Sequence, residues 1–275
     1  MPSDEGRGAT RRKAVWTLGF AFALLLAVVA AWRFQTSSVP VTRAQLELKP
    51  APVSPTNLPA SAPASPTNLV DRRQKEALVA ELNTTANNKL QAGDAAGAAQ
   101  TYQQAIALTP NDEDLHFNLG IAYVRLGELT NAEHEYNEAL RLLPDYPEVH
   151  NNLGNLLMRQ GRIAEAEAHY TEAIKQMPEY AQAHNSLGIL RQRQKRTNEA
   201  LACFQKAVQC ESNYWEGHFN LAGAYLLANE PEKGIAELRE TLKINPQFAP
   251  AQRILAAVLG GSSNAPISQP GAGTN

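Results

Sequence analysis

The chain has 275 residues, with 25 Lys and Arg against 27 Asp and Glu, a formal net charge of −2, and 44% hydrophobic residues. So balanced a composition offers no electrostatic footing for nucleic acid, and no nucleic-acid partner is expected. Cys203 and Cys210 are the only cysteines; on a single helix they would lie about 10 Å apart at ~1.5 Å per residue, too far for a disulfide, so they do not report the redox compartment.

In chain order, residues 1–13 form a basic tail ending in Arg11, Arg12 and Lys13. Residues 14–32, AVWTLGFAFALLLAVVAAW, carry no charge over 19 positions, and a helix of that length spans about 28 Å, close to the ~30 Å hydrocarbon core of a bilayer. Arg7, Arg11, Arg12 and Lys13 precede this stretch and only Arg33 and Arg43 follow closely. The positive-inside rule then keeps the N-terminus in the cytoplasm and sends the rest across, which in a bacterium would be the periplasm. We read 14–32 as a single-pass signal anchor that tethers the protein to the membrane. The alternative is a cleaved signal peptide ending near Ala30 and Ala31, which would release a secreted protein, although such apolar regions usually run ~7–15 residues.

Residues 33–70 form a Pro-rich linker, with seven prolines between 39 and 70 and the pentapeptide SPTNL at both 54–58 and 65–69. Such a segment cannot bury a core and acts as a semi-extended spacer, reaching roughly 30 to 100 Å between the coil and polyproline limits. Residues 260–275 have almost nothing apolar and are expected to be a disordered tail.

Between them the chain repeats. Pro110, Pro144, Pro178 and Pro246 mark steps of 34 residues, with Ser212 at the one missing step. The units run 79–112, 113–146, 147–180, 181–214 and 215–248, followed by a lone capping helix at 249–259. The second contains Leu119-Gly120, Tyr123, Gly127, Ala132, Tyr136, Ala139 and Pro144; the third contains Leu153-Gly154, Leu157, Gly161, Ala166, Tyr170, Ala173 and Pro178. Small residues at such positions let two helices approach closely, and the tyrosines fill the space beside them. Gly93, Gly127 and Gly161 stand where a first helix must end, a place that favours a left-handed residue. Asn229 suits that role in the fifth unit, whereas Lys195 in the fourth does not. One unit cannot cover its own apolar face, but five stacked units can.

A period of 34 with this internal pattern resembles the tetratricopeptide repeat, in which each unit is a pair of antiparallel helices. The resemblance covers about 170 of the 275 residues. It implies an all-α fold, an α-solenoid wound as a right-handed superhelix over residues 71–259, with the first helices lining its concave surface. The first unit departs from the pattern at Leu82, Thr85 and Ala86 and reads as an N-terminal cap whose first helix starts as early as Asp71. In the fourth, Arg191, Arg193, Lys195 and Arg196 are either a basic docking patch or a solvated helix end.

Each unit from the second onward carries a histidine in register, His116, His150, His184 and His218. At ~100° per residue these share a face with the Leu-Gly packing stripe and serve as semi-buried spacers. No metal site is expected, because like helices of successive units stand at least ~8–10 Å apart while zinc ligands must lie within ~2.0–2.1 Å. His134 and His169, on second helices, are read as surface residues.

Two positions after each histidine come Asn118, Asn152, Ser186 and Asn220, about 200° around the helix and away from the packing face. Phe117, Ile121, Asn151, Asn155, Asn185, Ile189 and Phe219 share that side. An amide can donate to a backbone carbonyl while accepting from an N–H, so this row is a candidate peptide-binding groove; equally, the amides could bond neighbouring backbone and tune the solenoid. The row is similar to the asparagine ladder in the repeat region of the O-linked N-acetylglucosamine transferases, which implies a polypeptide ligand, but no counterpart of their catalytic domain is expected here. Asn83, Asn87, Asn151, Asn152 and Asn155 stand where a carboxylate clamp needs Lys and Arg, so that mode is not expected either.

No nucleophile, carboxylate pair or phosphate loop stands out, and no cofactor is called for, so the chain does not read as an enzyme. The sequence thus points to a membrane-anchored protein-interaction scaffold or adaptor that binds extended polypeptide segments, in cell-envelope assembly. The alternative is a non-catalytic regulatory or substrate-presenting subunit of an envelope enzyme such as a glycosyltransferase.

Overall fold

The computed structural model describes residues 66–262, and all eleven of its elements are α-helices: α1 (Pro66–Gln91), α2 (Ala95–Leu108), α3 (Glu113–Leu126), α4 (Leu129–Leu142), α5 (Pro147–Arg159), α6 (Ile163–Gln176), α7 (Ala181–Arg193), α8 (Thr197–Cys210), α9 (Trp215–Leu227), α10 (Pro231–Ile244) and α11 (Ala249–Ser262). The candidate anchor at 14–32, most of the linker and nearly all of the tail lie outside the described residues. Among those described, no helix is long and apolar enough to cross a membrane. The chain forms two compact units that divide inside α7, between Ser186 and Leu187.

In the first unit α1 packs on α2, α2 on α3, α3 on α4, α4 on α5 and α5 on α6. α1 begins at Pro66, five residues before the expected start; a proline tolerates the first helical turn because its missing N–H would have no intrahelical partner there. Asp94 and Asp112 accept from Gly97 N at 2.9 Å and Leu115 N at 3.1 Å, capping α2 and α3. Close packing within a repeat follows from its glycine. A methyl group on Gly120 would stand 2.5 Å from Tyr136 Cε1, and one on Gly154 would stand 2.6 Å from Tyr170 Cε1. Both rings are fully buried.

In the second unit Gly188 faces Phe204 in the same way. The fifth repeat exchanges the two sizes, with Ala222 at the glycine position and Leu238 at the aromatic one, and both are completely buried. Phe204, Leu221 and Tyr225 form one core with Ile189, Leu201 and Val208. Phe219, Leu238 and Ala251 form another with Phe248, Ile254 and Leu255, through which α11 covers the last apolar face.

The turn that ends each first helix is left-handed in all five repeats: φ is +89° at Gly93, +81° at Gly127, +80° at Gly161, +63° at Lys195 and +62° at Asn229. Lys195 therefore takes the conformation that its side chain disfavours, contrary to expectation. Flanking hydrogen bonds hold it there, Lys195 N donating to Gln192 O at 2.9 Å and Arg196 N to Arg191 O at 2.9 Å. Two members of the neighbouring basic run are paired: Arg196 grips Glu199 through Nε at 2.7 Å and Nη2 at 2.5 Å, and Arg191 Nε lies 3.6 Å from the same carboxylate.

Candidate functional site

The histidines, first in the motif, prove to be joints. His116 Nε2 lies 3.1 Å from Pro110 O, His150 Nε2 3.2 Å from Pro144 O, His184 Nε2 2.9 Å from Pro178 O and His218 Nε2 3.1 Å from Ser212 O. A carbonyl only accepts, so Nε2 carries hydrogen in each ring. Each ring thus fastens its helix to the carbonyl six residues earlier, at the end of the preceding repeat. In α11, Gln252 Nε2 donates to Pro246 O at 2.7 Å and takes over the same task.

For His116, His150 and His218 the other ring nitrogen reaches the second helix of the same repeat. His116 Nδ1 lies 2.6 Å from Glu135 Oε2, and His218 Nδ1 lies 2.7 Å from Glu237 Oε2. Since both nitrogens face acceptors, the imidazolium form is favoured. The bond to Glu135 raises the His116 pKa against the opposing effect of burial, and Glu237 does the same for His218. In the third repeat the partner is another histidine, with His150 Nδ1 2.9 Å from His169 Nδ1. Burial lowers the pKa of both rings. His169 is thus half-buried and bonded, not a surface residue. The available signal was register: Glu135, His169 and Glu237 each follow their histidine by 19 positions. Among the described residues no three His, Cys, Asp or Glu side chains come together as a metal site.

The asparagine row of the first unit is largely shielded from solvent. Asn118, Asn151, Asn185 and Ser186 are each 1% exposed and Asn152 is 8% exposed. Phe117 is buried, with its ring centroid 5.3 Å from Tyr146 and 6.0 Å from Tyr136, and Ile121 is buried as well. Asn155, half-buried, accepts from Tyr170 OH at 2.8 Å, which ties it to the second helix of its own repeat. Asn87 accepts from Tyr102 OH in the same manner in the first repeat.

Asn118 differs. Its Oδ1 and Nδ2 are both buried without a hydrogen-bond partner, and so is Oδ1 of Asn151. Leaving a buried polar group unpaired costs about 1–3 kcal/mol. The unpaired atoms of the two residues lie on α3 and on α5, the first helices of the second and third repeats.

In the second unit the predicted residues have different surroundings. Ile189 packs against the Phe204 core. Phe219 meets Phe248 edge-on at 4.9 Å, and Trp215 lies 4.6 Å from the same ring; Trp215 and Phe248 were not among the sequence candidates. Asn220 is half-buried. Cys203 and Cys210 lie on α8 and form no disulfide, and burial raises the pKa of Cys203.

Family models agree with this architecture. A TPR repeat model matches residues 86–127 and 122–161, and tetratricopeptide repeat models match 145–210 and 191–258. No curated protein matches the sequence. Among solved structures the chain is similar in fold to PilF of Pseudomonas aeruginosa, with 22% identity and a TM-score of 0.61 over 69% of this chain and 88% of that one. PilW, a type IV pilus biogenesis factor, gives 21% identity and a TM-score of 0.60 over 67% and 87%. A thermophilic TPR protein of Thermus thermophilus gives 18% and 0.57 over 66% and 99%. Taken together, the matched segments run from 86 to 258, more than half of the chain, which belongs to the tetratricopeptide repeat family.

Proposed function

We propose that this protein is a non-catalytic adaptor, tethered through residues 14–32, that holds an extended polypeptide segment against the first helices of its amino-terminal unit outside the cytoplasm. The observation that supports the binding face is the buried, unpartnered amide of Asn118 together with the unpartnered Asn151 Oδ1 on the first helix of the next repeat. A backbone N–H and C=O arriving there would satisfy groups that otherwise lower stability. Asn152, on the same face of α5, would take the next contact. The shielding of the row means that a ligand enters by displacing what covers it.

The setting rests on the charge asymmetry about residues 14–32 and on fold likeness to PilF and to PilW, the latter named as a pilus biogenesis factor. We therefore place the adaptor in cell-envelope assembly.

A photoreactive residue at Asn152 in the full chain tests the binding face. The expected product is a crosslink to one extended partner segment that disappears in Asn118→Leu. A crosslink that persists in that variant would move the site elsewhere. Digestion of the C-terminal tail by protease added to right-side-out vesicles is expected, and protection of the tail would reverse the topology.

A further inference from the structure

The same structural position carries opposite chemistry in different repeats. In the second and fifth, a histidine of the first helix meets a glutamate of the second, at 2.6 and 2.7 Å. In the third, His150 on α5 meets His169 on α6 at 2.9 Å, with ring centroids 5.2 Å apart.

The hydrogen positions follow from the partners. Pro144 O at 3.2 Å takes the Nε2–H of His150, leaving Nδ1 as an acceptor for the Nδ1–H of His169. One added proton can settle on the outer nitrogen of His169, and the bond survives with a charged donor. A second proton must go on His150 Nδ1, and two N–H groups then face each other at hydrogen-bond distance. We propose that the α5–α6 seam is an acid-sensitive joint, closed while the pair holds at most one added proton and opened when both rings are charged.

The charges around the pair do not compensate a second proton. Glu172, from α6, and Asp145, from the connection before α5, act on His150. Glu165 and Arg162, from the start of α6, and Glu133, from α4, act on His169. Most of these carboxylates are already committed: Arg162 holds Glu133 at 2.6 Å and Glu165 at 2.6 Å, and Lys175 holds Glu172 at 3.1 Å. Asp145 is exposed and screened by water.

The sign of the response follows. Both rings have folded-state pKa values depressed below the ordinary 6.5. Their contribution to stability is therefore complete above about pH 6.5 and is lost as pH falls through the folded values. The His–Glu joints, whose histidines are raised, respond in the opposite direction. Because α5 also carries Asn151 and Asn152, opening this seam would disturb the binding row; that consequence rests on the binding reading, whereas the joint itself does not.

Hydrogen exchange of the full chain at pH 7.5 and 5.0, expressed as protection factors, tests the joint. Residues 147–176 should lose protection on acidification, by roughly tenfold, while residues 113–142 should not. His169→Glu, which copies the second and fifth repeats, should abolish that loss. Equal losses in the two segments, or an undiminished loss in the variant, would overturn the proposal. In the unmodified protein, NMR titration of the two imidazoles should show both midpoints below 6.5; a midpoint above it for either ring would be equally fatal.

Discussion

His116 Nδ1 stands 2.6 Å from Glu135 Oε2 while its Nε2 stands 3.1 Å from Pro110 O, so one imidazolium binds the second helix of its own repeat and the end of the preceding one. Both side chains are largely withdrawn from solvent, at 10% and 14% exposure. A charge-assisted bond of this kind contributes about 1.5–3 kcal/mol. With the His116 pKa raised, its stabilisation is complete below about pH 6.5 and is lost as pH rises through the folded value. Glu135→Gln should therefore lower the melting temperature more at pH 6 than at pH 8.5, and thermal unfolding at the two pH values measures the difference.

Gly154 is required by the ring of Tyr170. Its absent methyl group would lie 2.6 Å from Cε1 and 2.8 Å from Cδ1, and the ring is completely buried. Gly154→Ala should destabilise the protein by about 1–3 kcal/mol, the usual range for overpacking. Combining it with Tyr170→Leu, after the Ala222 and Leu238 pairing of the fifth repeat, should recover part of the loss in urea denaturation.

Lys195 holds φ at +63° where three of the other repeats have glycine. A left-handed residue with a β-carbon costs roughly 1–2 kcal/mol, and a glycine there gives some of this back to the unfolded chain. Lys195→Gly should raise stability by about 0.5–1 kcal/mol, read from the shift of a denaturation midpoint at unchanged slope.

Asn118 should show a conflict between stability and binding. Replacing its unpartnered amide by an apolar group of similar shape, as in Asn118→Leu, removes a buried penalty of about 1–3 kcal/mol. The variant should therefore melt at the same or a higher temperature than the parent and lose crosslinking at Asn152. A marked fall in melting temperature would show that the amide is satisfied in the native protein.

By itself the sequence determined the repeat. Period, helix pairing, the Gly-against-aromatic packing and the breaks near each proline follow from local sterics and from the need of each unit to bury its apolar face. Its residues therefore identify the solenoid, and the structure has a helix, Ala249–Ser262, over the stretch read as 249–259. Helical geometry also separated the histidines from the asparagines. Tertiary structure alone decided what each then does. Whether a histidine meets Glu135 or His169 depends on a residue 19 positions away, and the resulting protonation state is a property of the pair. That Lys195 turns left-handed was decided by the turn bonds around it, which override the preference of one side chain. The isolation of the Asn118 amide depends on which surfaces close over it, since burial and partners are set by neighbouring helices and not by position on one helix.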